Sequence, residues 1–322
     1  MYGTAVAISA LFTGAGKLAL LGEEISPSAE RAFRRAKGMR RWASKLPRAA
    51  WMSISSSTRE MNRDTRTLVE QAASKAPEVT LGFWIIKIAA TTLGETGGDW
   101  VTMSLNLGYV IGSAIFAALF IGLVAGQVKA ERFRPMLYWA TIIATTTLGT
   151  TLADFADRSL GLGYPGGVSI VFVCLLASLA VWYRSEGTVA VASITTPRAE
   201  WFYWSTILFS QTLGTALGDW VAGDDRRGLG LGYEYGALIF GAGLAVVAAL
   251  YLWSRTSRTV LFWAAFVLTR PLGATVGDLL DKPIASGGMD VSRLAASVLL
   301  LSFILVCIWL FPQRAATAGS HR

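Results

Sequence analysis

Histidine is almost missing from this chain: of 322 residues the single one is His321, near the C-terminus. That scarcity excludes His-based catalytic triads, histidine-ligated zinc and haem. Cysteine is nearly as scarce. Cys174 and Cys307 both lie in apolar runs, which excludes a disulfide framework and a CxxC metal site. Charge is thin too, at 16% of residues, where soluble domains carry about 25%. The chain is rich in apolar residues instead, 53% hydrophobic with positive mean hydropathy, which is the composition of a membrane protein.

The net charge of +8 is concentrated at one end. Residues 1–80 hold 13 Lys and Arg against 7 Asp and Glu, and the other 242 residues hold 16 against 14. A basic tail beside a membrane meets anionic lipid more readily than nucleic acid, so lipid is the expected partner and nucleic acid is not. Residues 1–79 read as a basic, poorly ordered cytoplasmic extension, with SPSAERAFRRAKGMRRWASKLPR too polar to offer a packing face. Residues 80–312 read as the membrane domain and 313–322 as a C-terminal tail.

Four segments align without a gap: FWIIKIAATTLGETGGDW, YWATIIATTTLGTTLADF, YWSTILFSQTLGTALGDW and FWAAFVLTRPLGATVGDL. They share Trp84, Trp139, Trp204 and Trp263; Gly94, Gly149, Gly214 and Gly273; and Asp99, Asp154, Asp219 and Asp278. Such agreement at fixed positions is an internal duplication. Each segment is followed by a second apolar run of about 20 residues, long enough to cross a hydrocarbon core of about 30 Å. The expected fold is therefore an all-α membrane protein: eight transmembrane helices forming four parallel two-helix repeats. Their bounds are about 80–128, 135–184, 200–254 and 259–312, each repeat read as a hairpin. An even number of crossings per repeat gives pseudo-symmetry about the membrane normal rather than an inverted repeat.

Seven basic residues (Lys129, Arg132, Arg134, Arg184, Arg198, Arg255 and Arg258) lie in the links between repeats. The links inside repeats carry Arg158, Arg226, Arg227 and Lys282, diluted by Asp157, Asp224, Asp225, Asp281 and Asp290. With the basic tail on the inter-repeat side, the positive-inside rule puts both termini in the cytoplasm.

The segment KAPEVTLGFWIIKIAATTLGETGGD and its three echoes resemble a family of bacterial integral membrane proteins built from four tandem two-helix repeats of unknown function. The resemblance covers residues 75 to about 312 and leaves out the basic extension. It implies a multi-pass protein of the bacterial cytoplasmic (inner) membrane. Some such proteins look like candidates for metal-ion export.

The equivalent aspartates should meet around one central region or in two pairs, where carboxylates can replace a cation's water shell or relay a proton. The structural alternative is that each caps the turn into the next span. Glu95 occurs in the first repeat alone, opposite Thr150, Thr215 and Ala274 in the others, and shares a helix face with Asp99. Glu95 and Asp99 are thus the primary metal or cation ligands expected, with Asp154, Asp219 and Asp278 contributing. Neutralisation by Lys87 or Arg270 is the competing reading. Lys87 is placed to snorkel toward the interface, whereas Arg270, deep in its span and followed by Pro271, calls for an internal partner. Thr91, Thr92, Thr146 and Gln211 join Lys87 and Arg270 as supporting polar groups. The Thr and Gly residues serve either close helix packing or a locally broken helix, with Pro271 as its marker. The GLGY runs at 161–164 and 230–233 lack the strand and lysine of a nucleotide loop.

All ligand chemistry on offer is oxygen, which suits hard ions such as Mn²⁺, Mg²⁺, Ca²⁺, Na⁺ or H⁺. The expectation is a secondary transporter, an exporter of a hard cation with proton coupling, that is no enzyme and carries no cofactor. The alternative is a non-transporting membrane scaffold whose acids are caps and internal ion pairs.

Overall fold

Each signature segment begins where the chain can start a helix. Thr80 accepts the amide of Phe83 at 3.3 Å and Thr196 that of Ala199 at 3.1 Å, while Pro135 and Pro197 occupy first turns. Such caps satisfy amides that have no partner inside the helix. The computed structural model describes residues 74–223 and 228–316, so the predicted extension at 1–73 and the last residues of the predicted tail lie outside the described residues. The described residues form eight α-helices: α1 (Leu81–Asp99), α2 (Gly108–Lys129), α3 (Pro135–Asp154), α4 (Gly163–Glu186), α5 (Pro197–Ala222), α6 (Tyr233–Trp253), α7 (Arg258–Asp281) and α8 (Arg293–Leu310). Among them is no β-strand, only an isolated antiparallel bridge between Pro77 and Ala315.

The odd-numbered helices carry the signatures and form a closed inner ring, each packed on the next, with α7 returning to α1. One correction concerns the partner helices. The two helices of a repeat do not form a packed hairpin: α2 lies on α3, α4 on α5, α6 on α7 and α8 on α1, so each outer helix covers the inner helix of the following repeat. The cause lies in the joints. Every joint holds two residues in the left-handed region, Asn106 and Gly108, Gly161 and Gly163, Gly230 and Gly232, or Gly287 and Asp290. Two such residues in so short a link redirect the chain sideways instead of folding it straight back. The GLGY runs are these joints. Asn and Asp are the residues besides Gly that adopt this conformation at least cost.

The ends of the bundle are tied together. Ser74 and Glu78 donate backbone bonds to the carbonyls of Ala316 and Arg314 at 2.9 and 2.8 Å, and Ala316 donates back to Ala76 at 2.9 Å. Residues 74–78 therefore belong to the folded unit, a few residues upstream of the expected boundary at 79.

Polarity is distributed inside out. The apolar stretches of α2, α4, α6 and α8 are mostly exposed, that of α6 being 11% buried, whereas the inner helices bury their Thr, Asp, Glu and Lys residues. Five helices (α2, α4, α6, α7 and α8) are long and apolar enough to cross a membrane. Helices α1, α3 and α5 are long enough but too polar to qualify by composition.

Candidate functional site

The shared residues of the repeats make one set of contacts four times over. At the N-terminal ends of the inner helices, the aromatic of each repeat meets the tryptophan of the next: Phe83 on Trp139 (5.5 Å between centroids), Tyr138 on Trp204 (5.6 Å), Tyr203 on Trp263 (6.4 Å) and Phe262 on Trp84 (5.9 Å). Such pairs add about 0.5–1.5 kcal/mol each beyond their buried area. Inside this girdle the phenols of Tyr138 and Tyr203 are 2.6 Å apart. The signature glycines follow the same cycle. A Cβ on Gly94 would overlap Thr146, one on Gly149 would lie 2.9 Å from Gln211 Cβ, one on Gly214 would overlap Arg270, and one on Gly273 would lie 2.6 Å from Thr91 Cβ. Glycine lets adjacent helices touch there, and cross-helix bonds result: Thr146 donates to the Ala90 carbonyl at 3.4 Å and Thr91 to that of Thr269 at 3.2 Å.

Below the aromatic girdle the axis is filled by four layers spaced one helical turn apart, and every residue in them is buried. The first contains Lys87, Ile142, Ile207 and Phe266. Next come Thr91, Thr146, Gln211 and Arg270, then Glu95, Thr150, Thr215 and Ala274, and last the four aspartates. Lys87 does not snorkel: its ammonium lies 3.4 Å from Gln211 Oε1 and 4.2 Å from the centre of the Phe266 ring, and it pairs with no acid among the described residues. Thr92 bonds within its own helix, to the Ile88 carbonyl.

Arg270 supplies the central bond network. Its guanidinium donates to Glu95 Oε2 at 2.8 Å, to Thr215 Oγ1 at 2.5 Å, to Thr150 Oγ1 and to the Thr91 carbonyl at 3.2 Å. One residue of the fourth repeat thus joins the equivalent Glu, Thr and Thr of the other three. Helix α7 runs unbroken through Pro271, so of the two readings of the Thr and Gly residues the broken helix does not hold in the fourth repeat.

The aspartates divide into two kinds. Asp99 Oδ2 receives Lys282 Nζ at 2.5 Å, and the same ammonium is 3.0 Å from Asp278 Oδ1. Asp154 is held by Arg158 at 2.7 Å, and Asp281 by Arg293 at 3.0 Å. Asp219, 7% exposed, has no ion-pair partner among the described residues. None caps a helix in the expected way: Asp99 and Asp154 lead into π-helical turns (Trp100–Ser104 and Phe155–Ser159) without a side-chain cap bond, and Asp219 and Asp278 lie within continuous helices. Glu95 and Asp99 answer to different cations and belong to different carboxylate groups. Carboxylate oxygens of Glu95, Asp219 and Asp278 lie within 4.8 Å of one another, as do those of Asp99, Asp278 and Asp281, and Asp278 links the two groups.

Arg158 and Lys282 escape a reading that counts them as loop charges. A signal was present: they occupy equivalent positions in DFADR and DLLDK, four residues after the signature Asp of the second and fourth repeats. The first and third repeats carry DWV instead. Burial opposes the charge of Lys282, which lies just beyond α7, but Asp278, Asp99 and Asp281 outweigh it and raise its pKa well above the ordinary lysine value.

A fourfold-repeated helical bundle with charged groups sealed along its axis is the class these observations define. The sequence model of the Repeat of Unknown Function (DUF347) family matches residues 82–133, 137–188, 202–257 and 261–315, each match starting one residue before an aromatic–Trp pair. The chain belongs to that family. No curated protein and no solved structure matches it.

Proposed function

We propose that the protein spans the bacterial cytoplasmic membrane eight times, with both termini in the cytoplasm, and is a secondary transporter that exports a hard divalent cation such as Mn²⁺. Support for the membrane reading comes from the exposed apolar outer helices, whose combined surface is far larger than a soluble monomer tolerates. The polar inner helices cross within that apolar jacket, α1 alone being about 28 Å long at 1.5 Å per residue.

The observation that carries the transport reading is the group Glu95, Asp219 and Asp278. It offers three buried carboxylate oxygens within 4.8 Å, one of them from an acid with no ion-pair partner among the described residues. Oxygen-only donors suit Mn²⁺, Mg²⁺ or Ca²⁺ better than Zn²⁺ or Cu⁺. A second reading, a membrane scaffold, is favoured by the ion pairs of Arg270, Arg158, Lys282 and Arg293 with five of the acids and by the solid axis.

Thermal unfolding of the purified full chain in detergent, against a panel of mono- and divalent cations, separates the two. A ligand at 100 times its Kd stabilises the native state by about 2.7 kcal/mol. The transporter reading expects a divalent cation to raise the Tm, Asp219→Asn to abolish that shift, and proteoliposomes to take up the ion. No shift by any cation in the wild type or in Lys282→Gln, with no uptake, leaves the scaffold.

A further inference from the structure

We propose that Lys282 is a tethered stand-in for the transported ion: its ammonium holds the place between Asp99 and Asp278 that a divalent cation takes when it binds, and binding expels it. The inference rests on the transport reading and specifies it, making Lys282 the residue that sets affinity and selects divalent over monovalent cations.

Three observations on the geometry support it. First, Lys282 is not a fully bonded structural partner. It bonds Asp99 Oδ2 and lies 3.0 Å from Asp278 Oδ1, so it meets one oxygen of each acid and leaves Asp99 Oδ1 to itself. Asp99 Oδ1 is buried with no hydrogen-bond donor among the described residues, so it retains a lone pair that a coordinating ion would use. Second, the charges are mismatched. Two cations, Lys282 and Arg293, serve the three carboxylates of Asp99, Asp278 and Asp281, Arg293 Nε lying 3.9 Å from Asp99 Oδ2 as well as 3.0 Å from Asp281, and Asp219, whose oxygen approaches Asp278, has no ion-pair partner among the described residues. A monovalent ion replacing the ammonium leaves that imbalance unchanged, whereas a divalent ion neutralises both acids that Lys282 now shares.

Third, Lys282 is free to leave. It follows the last residue of α7, with a side chain 14% exposed, and its neighbours Pro283–Ser286 form an exposed turn. Arg270, by contrast, is sealed in mid-bundle with four polar partners. Its equivalent in the second repeat, Arg158, holds Asp154 four residues earlier, and among the described residues it makes no ion pair with the neighbouring Asp219. By the repeat symmetry the bridge Lys282 makes from Asp278 to Asp99 is the one that Arg158 does not make from Asp154 to Asp219. Asp219 is thereby open to the ion, and Lys282 is the cation that must move.

The test uses the full chain in detergent, with Mn²⁺ as probe and Na⁺ and K⁺ at matched ionic strength as controls. Thermal shift against Mn²⁺ concentration should give an apparent Kd for Lys282→Gln at least tenfold tighter than for the wild type, with no response to Na⁺ or K⁺ in the wild type. In parallel, acylation of Lys282 by an amine-reactive ester, read by peptide mass spectrometry, should increase at saturating Mn²⁺ while that of Lys87 stays low. Equal Mn²⁺ affinity in Lys282→Gln and the wild type overturns the proposal and leaves the transport reading standing. Binding by neither protein overturns both. Should Lys282→Gln fail to fold, wild-type labelling decides alone: acylation of Lys282 unchanged by saturating Mn²⁺ refutes the displacement.

Discussion

Replacing Arg270 with methionine keeps an unbranched apolar stem and removes the charge that faces Glu95. The ion pair is 2.8 Å long and both side chains are buried, at 0% and 3% exposure. Arg270→Met therefore strands a carboxylate in the bundle, and breaking a buried pair from one side costs about 3–5 kcal/mol. Glu95→Met strands the guanidinium and should cost about the same. The double variant leaves no buried charge. Its remaining loss is the bonds that Arg270 makes to Thr150, Thr215 and the Thr91 carbonyl, about 1 kcal/mol each. Both hydroxyls keep bonds to helix carbonyls, Thr150 to Gly94 and Thr146 at 3.2 Å and Thr215 to Gln211 at 3.5 Å. Two singles at about 3–5 kcal/mol and a double near 3, where additivity would give about 6–10, make a strongly non-additive cycle. Reversible unfolding in mixed detergent micelles measures all four corners. Additive losses, with the double variant less stable than either single, would refute the claim that these two residues neutralise each other.

Three further outcomes are expected. Gly94→Ala drives a methyl into Thr146 and should destabilise by about 1–3 kcal/mol, the usual range for overpacking. Gly97→Ala, whose Cβ would meet nothing nearer than 3.9 Å, should gain about 0.5–1 kcal/mol from helix propensity, and unfolding of the two side by side tests the close approach. Tyr138→Phe leaves the Tyr203 hydroxyl buried without its 2.6 Å partner, costing about 1–3 kcal/mol, whereas the double Phe variant should recover most of the loss. Asp219→Asn should remove the Mn²⁺-dependent Tm shift while preserving the cation-free Tm within a few degrees, because that acid has no ion pair to lose among the described residues.

Much of the architecture is legible in the chain because the duplication writes each contact four times. Aromatic–Trp, Leu-Gly and Asp recur at fixed spacing, and each recurs in space as a junction between one repeat and the next. Spacing of four also places Lys87, Thr91, Glu95 and Asp99 on one helix face, which is enough to predict a buried polar stripe. The partners of that stripe are less legible. Lys282 reaches Asp99 across 183 positions of sequence, and no local pattern connects them. The alternation of DWV with DFADR and DLLDK was visible, but it carries meaning only once the ring sets the second and fourth repeats beside the first and third.

By itself, then, the sequence determined that there are four repeats, that their shared face is small and polar, and that histidine and cysteine are confined to His321, Cys174 and Cys307. Those are properties of composition and of helical period, which act within one segment. Tertiary structure decided which acid faces which cation, that each outer helix covers the next repeat rather than its own, and that Asp219 has no ion-pair partner among the described residues. Ring closure decides these: it selects which of four near-identical faces meets the single Arg270 and the single Lys282, and nothing local to a segment encodes that choice.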